Sequence, residues 1–214
     1  MVMEAYRVMI VGCGPGAIEC LTTEAIRAID SADILVGAKR LLDLFPDKRS
    51  EKIGVAADIQ AALDRIEEER HTNRIAVLVT GDPGLCSLAQ PVLKRFGRHK
   101  CQVIPGISSI QTAFARIGVD WYDAAIISLH GRQLGVYPED PGKYDKVAVL
   151  MEGANSLAEV VSIADRMGED VQVFLCEDLT MEAERIRQVE LSDLKSVTIS
   201  TRTIVLLIRG CILR

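Results

Sequence analysis

The sequence predicts an α/β protein made of two α/β domains, the first with a parallel sheet and the second with a mixed sheet. Short stretches rich in Val and Ile alternate with amphipathic stretches of helical period along the 214 residues. Residues 75–79 are apolar without interruption, which is typical of a central parallel strand covered on both faces. After residue 167 few helical stretches remain, so strands and helices do not alternate in the second half as they do in the first.

Hydrophobic periodicity assigns the elements of the first half. The clearest is the helix predicted at 57–69, because Ile59, Leu63 and Ile66 fall at spacings of four and three and leave the charged positions for solvent. The same criteria predict strands at 7–11, 34–36, 75–79 and 102–104 and further helices at 23–29, 39–44, 90–95 and 108–117.

The second half is expected to contain one strong helix, at 156–167. Its beginning, Ser156-x-x-Glu159, has the form of a capping box, in which the serine side chain accepts a hydrogen bond from the first turn. Apolar runs predict strands at 125–128, 147–151, 171–175 and 204–208.

The alternation pauses between residues 117 and 123, around Gly118 and the single tryptophan, Trp121. We therefore expect a domain boundary there, with an N-terminal α/β domain at 1–119 that carries the Gly-rich loops and a C-terminal α/β domain at 120–214.

Composition excludes several classes of function. The chain has 25 Lys and Arg against 30 Asp and Glu, a net charge of −5, with no concentrated basic face for a nucleic acid. Apolar runs of about five residues are far shorter than the roughly 20 that span a bilayer. The first residues lack the layout of a secretory signal, so we expect a cytoplasmic protein with neither a membrane nor a nucleic-acid partner.

The six cysteines include no CxxC pair and are expected to be reduced thiols. Only His99 and Cys101 stand close together among possible metal ligands, so we expect no metal site. The sequence also has no GxSxG motif, which leaves hydrolase chemistry without support.

Three glycine-containing loops each follow a predicted strand of the first half. They are the loop at 12–16, with sequence GCGPG, the loop at 80–84, with sequence TGDPG, and the loop at 105–109, with sequence PGISS. Glycine lets backbone approach a ligand closely, and parallel strands gather the loops that follow them along one edge of the sheet. The three loops are therefore expected to form one site, although each alone also suits an ordinary turn.

The first loop has a competing interpretation as a nicotinamide site, since Gly12, Gly14 and Ala17 fit GxGxxA. That fold requires an acidic residue after the second strand, where this chain has Gly37, and it requires a helix that begins at the glycines. The best N-cap candidates, Thr22 and Thr23, come later. A nicotinamide-dependent oxidoreductase stays as an alternative.

Taken together, four segments resemble the tetrapyrrole (corrin/porphyrin) methylase family: VGCGPG at 11–16, LTTEA at 21–25, TGDPG at 80–84 and PGISS at 105–109. The segments SLHGR at 128–132, MEGANS at 151–156 and ERI at 184–186 resemble its precorrin-6Y / cobalt-precorrin-7 C5-methyltransferase branch, which acts in cobalamin biosynthesis. The resemblance implies methyl transfer from S-adenosylmethionine to carbon 5 of a corrin precursor, cobalt-precorrin-7 or precorrin-6. It also implies a homodimer and a donor held between the two domains.

Site residues follow from the same resemblance, position by position. The donor would contact Pro15, Thr80, Gly81, Asp82, Leu85, Ser108, Ser109, Met151 and Leu179. The residues around Leu179 depart from the family's usual Glu-Asn-Leu pattern.

The tetrapyrrole substrate carries several carboxylates, so cations and backbone amides are expected to bind it. The candidates are Gly14, Lys39, Arg40 and Arg132, and His130 is the candidate acceptor for the proton that leaves carbon 5. Methylation of another tetrapyrrole position, of a protein or of RNA, and a non-catalytic module that binds the donor or a corrinoid, remain alternatives. Because the chain stops at Arg214, a decarboxylating methyltransferase of the same pathway is expected to be a separate polypeptide.

Overall fold

A computed structural model describes residues 6–55, 58–129, 140–151 and 156–213. The chain divides into two compact units, Met1–Ser108 and Ser109–Arg214, and each contains one five-stranded sheet. The division comes directly before a helix that sequence periodicity places in the first domain, whereas the predicted boundary comes after it. The expected combination of a parallel and a mixed sheet is confirmed.

The first unit is a parallel sheet with helices on both faces. Its strands run in the spatial order β3-β2-β4-β1-β5, and every neighbouring pair is parallel. The strands are β1 (Val8–Gly12), β2 (Ile34–Gly37), β3 (Glu51–Gly54), β4 (Ile75–Val79) and β5 (Cys101–Ile104), and the helices are α1 (Thr23–Ser31), α2 (Lys39–Leu42), α3 (Ile59–Glu69) and α4 (Ala89–Phe96).

Strand β4 shows why this sheet needs uninterrupted apolar strands. Val77 and Val79 pack with α3 and α4 on one face, whereas Ala76 and Leu78 pack with α1 and α2 on the other. Successive side chains of a strand point to opposite faces, and helices cover both faces of this sheet. All five β4 residues are therefore buried. A polar side chain at any of these positions would lose its water without a partner.

The second unit is a mixed sheet with strand order β6-β7-β10-β8-β9. Strands β6 and β7 are parallel, and the remaining pairs are antiparallel. The elements are α5 (Ser109–Ile117), β6 (Ala125–Ser128), β7 (Lys146–Leu150), α6 (Leu157–Met167), β8 (Val171–Glu177), β9 (Arg185–Val189) and β10 (Thr203–Arg209). No helix of the described ranges has the length and apolar content needed to cross a bilayer.

Two sequence expectations differ from the structure. Strands β3 and β9 were not predicted, because charged residues such as Glu51 and Arg185 interrupt their apolar patterns. The prediction of a capping box at Ser156 is wrong. This residue precedes α6 with φ −91° and ψ 4°, and its side chain makes no capping hydrogen bond. An N-cap side chain reaches the first turn from an extended backbone, which Ser156 does not have.

A buried carboxylate joins three segments of the second unit. Glu177, 1% exposed at the end of β8, accepts hydrogen bonds from Arg185 Nε and Nη2 at 2.9 Å, from Arg187 Nε at 3.0 Å and from the amide of Ser200 at 3.0 Å. Burial raises the pKa of Glu177, but these hydrogen bonds outweigh it and hold the pKa below the usual value. The carboxylate therefore stabilises the folded state in its ionised form.

We expect Glu177→Gln to lower the free energy of unfolding at pH 7 by about 2–3 kcal/mol, since hydrogen bonds to a charged group are lost. A carboxyl whose folded pKa is lowered stabilises the protein above its unfolded pKa, and that stability is lost as pH falls through the folded pKa. The difference from the unsubstituted protein should therefore shrink below about pH 4.3. Urea titrations between pH 7 and pH 3 measure it, with exposed Glu190→Gln as the control; a difference that does not change with pH would contradict the assignment.

Candidate functional site

Three loops of the first unit meet at the carboxyl edge of its sheet. Strands β4, β1 and β5 are adjacent and parallel, so the loops that follow them begin side by side. This confirms that the loops at 12–16, 80–84 and 105–109 start at one edge, which is where open parallel sheets bind ligands.

The three loops touch through backbone. A Cβ atom on Gly12 would lie 2.6 Å from the Gly106 nitrogen and 2.8 Å from the Gly81 oxygen, distances that no real side chain tolerates. A Cβ on Gly106 would collide with the same Gly81 oxygen and lie 2.7 Å from the Gly12 carbonyl carbon. Glycine is therefore required at both positions because main chain occupies the space of a side chain.

A short backbone ladder joins the first two loops. The amide of Gly81 donates to the Gly14 oxygen at 2.7 Å, and the amide of Gly14 donates to the Gly81 oxygen at 3.3 Å. Both residues have positive φ, +71° and +68°, which favours glycine. Helix α1 begins only at Thr23, where the Thr22 hydroxyl accepts from the Ala25 amide at 3.1 Å. The glycines thus do not open a helix, which removes the geometry that binds the pyrophosphate of a dinucleotide.

Asp82 connects the second loop to the third. One carboxylate oxygen accepts from the amide of Gly84 at 2.8 Å, and the other accepts from the amide of Gly106 at 3.1 Å. The amide of Leu85 also donates to the carbonyl oxygen of Asp82 at 3.1 Å. Charge-assisted hydrogen bonds of this kind are stronger than neutral ones, so Asp82 fixes the spacing of the two loops.

Arg40 lies beside the second loop, where its Nη2 donates to the Thr80 hydroxyl at 3.0 Å. Lys39, the neighbouring cation, is exposed and pairs with Asp43 on its own helix at 2.7 Å. Of these two predicted substrate contacts, the structure places Arg40 against a predicted donor residue and Lys39 within a surface ion pair. His130 and Arg132 lie outside the described residues.

Two predicted donor contacts of the second unit, Met151 and Leu179, lie at one edge of its sheet. Met151 follows β7, and its amide donates to the Thr203 oxygen at the start of β10. Leu179 follows β8, whose last residue pairs with Thr203 from the other side. Because β10 runs antiparallel to both strands, their carboxyl ends flank its amino end. Both side chains are buried, at 1% and 4% exposure.

The remaining predicted contacts lie in or next to the loops. Pro15 is buried in the first loop, Leu85 is half-buried after the second, and Ser108 is 7% exposed in the third. Ser109 is the first residue of α5. Gly12 and Gly106 were not among the predicted site residues. A glycine at the end of a strand, as Gly12 is, or two residues after one, as Gly106 is, is the sequence signal for such close approach.

One cysteine lies within these loops, Cys13, and it is buried. Burial raises the pKa of the Cys13 thiol to about 12, so the thiol is protonated at neutral pH. All six cysteines are free. Among the described residues there is no group of three side chains that could hold a metal ion.

Comparison with known proteins decides the family. The family model for tetrapyrrole (corrin/porphyrin) methylases matches residues 7–195, which include all three loops and most of the second unit. The chain belongs to the tetrapyrrole methylase family. Membership makes the protein a methyltransferase.

Two curated relatives belong to one branch of this family. A protein of Methanocaldococcus jannaschii named "Probable cobalt-precorrin-7 C(5)-methyltransferase" is 32% identical over 207 residues, covering 92% of this chain and 95% of its own. The cobalt-precorrin-7 C(5)-methyltransferase of Salmonella typhimurium is 35% identical over 185 residues, covering 86% and 90%. Among solved structures, a cobalamin-biosynthetic precorrin-6Y methylase from Archaeoglobus fulgidus superposes with a TM-score of 0.72 at 28% identity, covering 95% of this chain and 98% of its own.

We expect Gly106→Ala to lower the free energy of unfolding by about 1–3 kcal/mol, because the added methyl group overlaps backbone of two other loops. The matched control is Gly54→Ala, where the added Cβ meets nothing within 4 Å. Thermal and urea unfolding of the two variants measure the difference. Equal stability of both variants would show that the loops do not touch as described.

Proposed function

We propose that the protein transfers a methyl group from S-adenosylmethionine to carbon 5 of a corrin precursor, cobalt-precorrin-7 or precorrin-6, in cobalamin biosynthesis. The observation that carries the proposal is the naming of its relatives. Two proteins described as acting at this carbon of cobalt-precorrin-7 share 32% and 35% of their residues with this chain over nearly their full lengths. The meeting of the three loops at one sheet edge supports it, because a bound ligand needs a rigid rim.

The residues at the loops suit the donor. Gly81 and Gly106 bring main chain to the rim, where peptide groups can bind the polar ends of a nucleoside and an amino acid. The Thr80 hydroxyl is exposed and held by Arg40. We propose that the donor contacts Pro15, Thr80, Gly81, Asp82, Leu85 and Ser108 of the first unit and Ser109, Met151 and Leu179 of the second.

Asp82 is proposed to act in two ways. Its oxygens already accept from the amides of Gly84 and Gly106, so its first effect is to fix the loops around the donor. A carboxylate oxygen has more than one acceptor direction, which leaves capacity for a donor hydroxyl or ammonium group.

Positioning is the proposed source of catalysis. When bound, S-adenosylmethionine supplies a methyl group that its own sulfonium charge activates. The protein's contribution is then to hold the methyl group and the nucleophilic carbon in line. In a rigid site, the entropy of bringing the two together is lost when they bind and not during the reaction. Carbonyl oxygens of the loops are suited to a cationic ligand. His130 is proposed as the acceptor of the proton that leaves carbon 5.

Substrate binding requires local positive charge in a protein whose net charge is −5. We propose Arg132 and Arg40 as the principal partners of the substrate carboxylates, with Lys39 and the Gly14 main chain as further contacts. Arg40 is well placed for this, since its bond to Thr80 keeps it at the loop that is proposed to bind the donor.

The assembly and location of the protein are also proposals. We propose a homodimer in the cytoplasm, with a decarboxylating methyltransferase of the same pathway as a functional partner. The precorrin-6Y C(5,15)-methyltransferases among the relatives are described as decarboxylating, and this chain covers less than half of their length. Light scattering measures the oligomeric state.

The deciding experiment combines the purified protein, cobalt-precorrin-7 and S-adenosylmethionine labelled with carbon-13 in its methyl group. We expect the corrinoid to gain one methyl group by mass spectrometry and the label to appear on carbon 5 by NMR. Label on another carbon would favour a methylase of a different position. A corrinoid that binds and gains no methyl group would indicate a non-catalytic module, and calorimetric binding of NAD in place of the donor would indicate an oxidoreductase.

We expect Arg132→Ala to raise the KM for the tetrapyrrole about tenfold and to change the KM for the donor less than about twofold, since a charge-assisted hydrogen bond contributes about 1.5–3 kcal/mol. Arg40→Ala should raise both values because Arg40 also holds Thr80. Initial rates with each substrate varied in turn measure the effects, and exposed Lys94→Ala is the control for loss of surface charge. Equal loss of both affinities in Arg132→Ala would contradict a substrate-binding role.

A further inference from the structure

The turn between β8 and β9 combines an unusual backbone with a buried apolar residue. Asp178 and Thr180 have φ values of +46° and +64°, a region that residues other than glycine rarely adopt. Leu179 between them is 4% exposed. Each positive φ costs of order 1 kcal/mol, so interactions elsewhere must hold the turn in this shape.

One part of that support comes from Arg202, the residue before β10, and from the turn itself. The Asp178 carboxylate accepts from Arg202 Nε at 2.8 Å, and the Asp178 amide donates to the Arg202 oxygen at 3.1 Å. Within the turn, the amides of Met181 and Glu184 each donate at 2.9 Å, to the oxygens of Asp178 and Met181 respectively.

The other part of the support is Glu184. Its carboxylate accepts from the Thr180 amide at 2.5 Å and from Arg116 Nε and Nη2 at 2.6 and 3.2 Å. The Arg116 guanidinium is the main reason that the pKa of Glu184 lies below its usual value. The carboxylate is thus ionised at neutral pH and holds Thr180 directly in its positive-φ conformation.

Arg116 connects the turn to α5, because it lies in the last turn of this helix, which begins at Ser109. Helix α5 packs against β10, the strand whose amino end separates Met151 from the turn. A single ion pair between residues 68 positions apart in sequence therefore connects two elements, each of which carries a proposed donor contact.

We propose that Glu184 is a positioning residue: through the Thr180 amide and Arg116 it holds the turn that presents Leu179 to the methyl donor. This inference rests on the proposed function. Glu184 itself does not contact the reacting atoms. Loss of its charge should release Thr180 and let the turn relax towards negative φ, which moves Leu179 without disturbing the sheet.

The variant that tests this is Glu184→Gln, which keeps the size of the side chain and removes its charge. We expect the dissociation constant for S-adenosylmethionine, measured by calorimetry, to rise about tenfold. The KM for the tetrapyrrole should change less than about twofold, and the melting temperature should fall only slightly. Glu182→Gln, an exposed glutamate of the same turn, is the matched control and should bind the donor normally.

Hydrogen exchange of the protein without ligand gives a second readout. The Thr180 amide should exchange at least about tenfold faster in Glu184→Gln than in Glu182→Gln, because its acceptor is weakened. If Glu184→Gln does not fold, Arg116→Gln tests the same ion pair from α5. The double variant should bind the donor about as weakly as the weaker single variant, since the two residues act as a unit.

The outcomes separate the two proposals. If the unsubstituted protein does not bind S-adenosylmethionine, the proposed function fails and this inference fails with it. If the unsubstituted protein binds the donor and Glu184→Gln binds it equally well, the proposed function stands and the positioning role is overturned. A loss of donor affinity in the Glu182→Gln control as large as that in Glu184→Gln would also overturn it.

Discussion

The close approach of three main chains at Gly12, Gly81 and Gly106 is the constraint on which the first unit depends. Strand β1 lies between β4 and β5, so the loop that leaves it must pass between the other two. There is room for that passage only because neither Gly12 nor Gly106 carries a Cβ atom. The geometry of the loops is therefore set by main chain, and the Asp82 carboxylate and the Gly14–Gly81 ladder secure it.

The second unit also fixes the backbone after its strands, but it does so with charged side chains. Its sheet places an antiparallel strand, β10, between β7 and β8, and the residues that follow those two strands flank the beginning of β10. Where the first unit uses glycine to permit unusual backbone, the turn after β8 has Asp178 and Thr180 at positive φ. The ion pairs Arg116–Glu184 and Arg202–Asp178 compensate for the backbone energy. Main chain therefore fixes the loops of the first unit, and charged side chains fix the turn of the second.

Sequence predicted the parts of the fold that burial dictates. The strand at 75–79 was located residue for residue, because both of its faces are covered and every position must be apolar. The meeting of the loops was predictable because parallel strands end at one edge. The Gly14–Gly81 ladder was not, since it depends on the register of β1 against β4. The pairing of Glu184 with Arg116 could not be anticipated either, because nothing local connects positions so far apart in the chain. The predicted ligand contacts stay predictions.

The two strands that the sequence pattern missed, β3 and β9, lie at outer edges of their sheets, where unpaired amides and carbonyls are open to other molecules. Glu51 and Lys52 stand on β3, and Arg185 and Arg187 stand on β9. Charges along such a border oppose the addition of a strand from another chain. The charges that interrupt the apolar patterns of these strands thus oppose edge-to-edge association. Replacing Glu51 and Lys52 with β-branched apolar residues would make β3 easier to recognise and the protein harder to keep in solution.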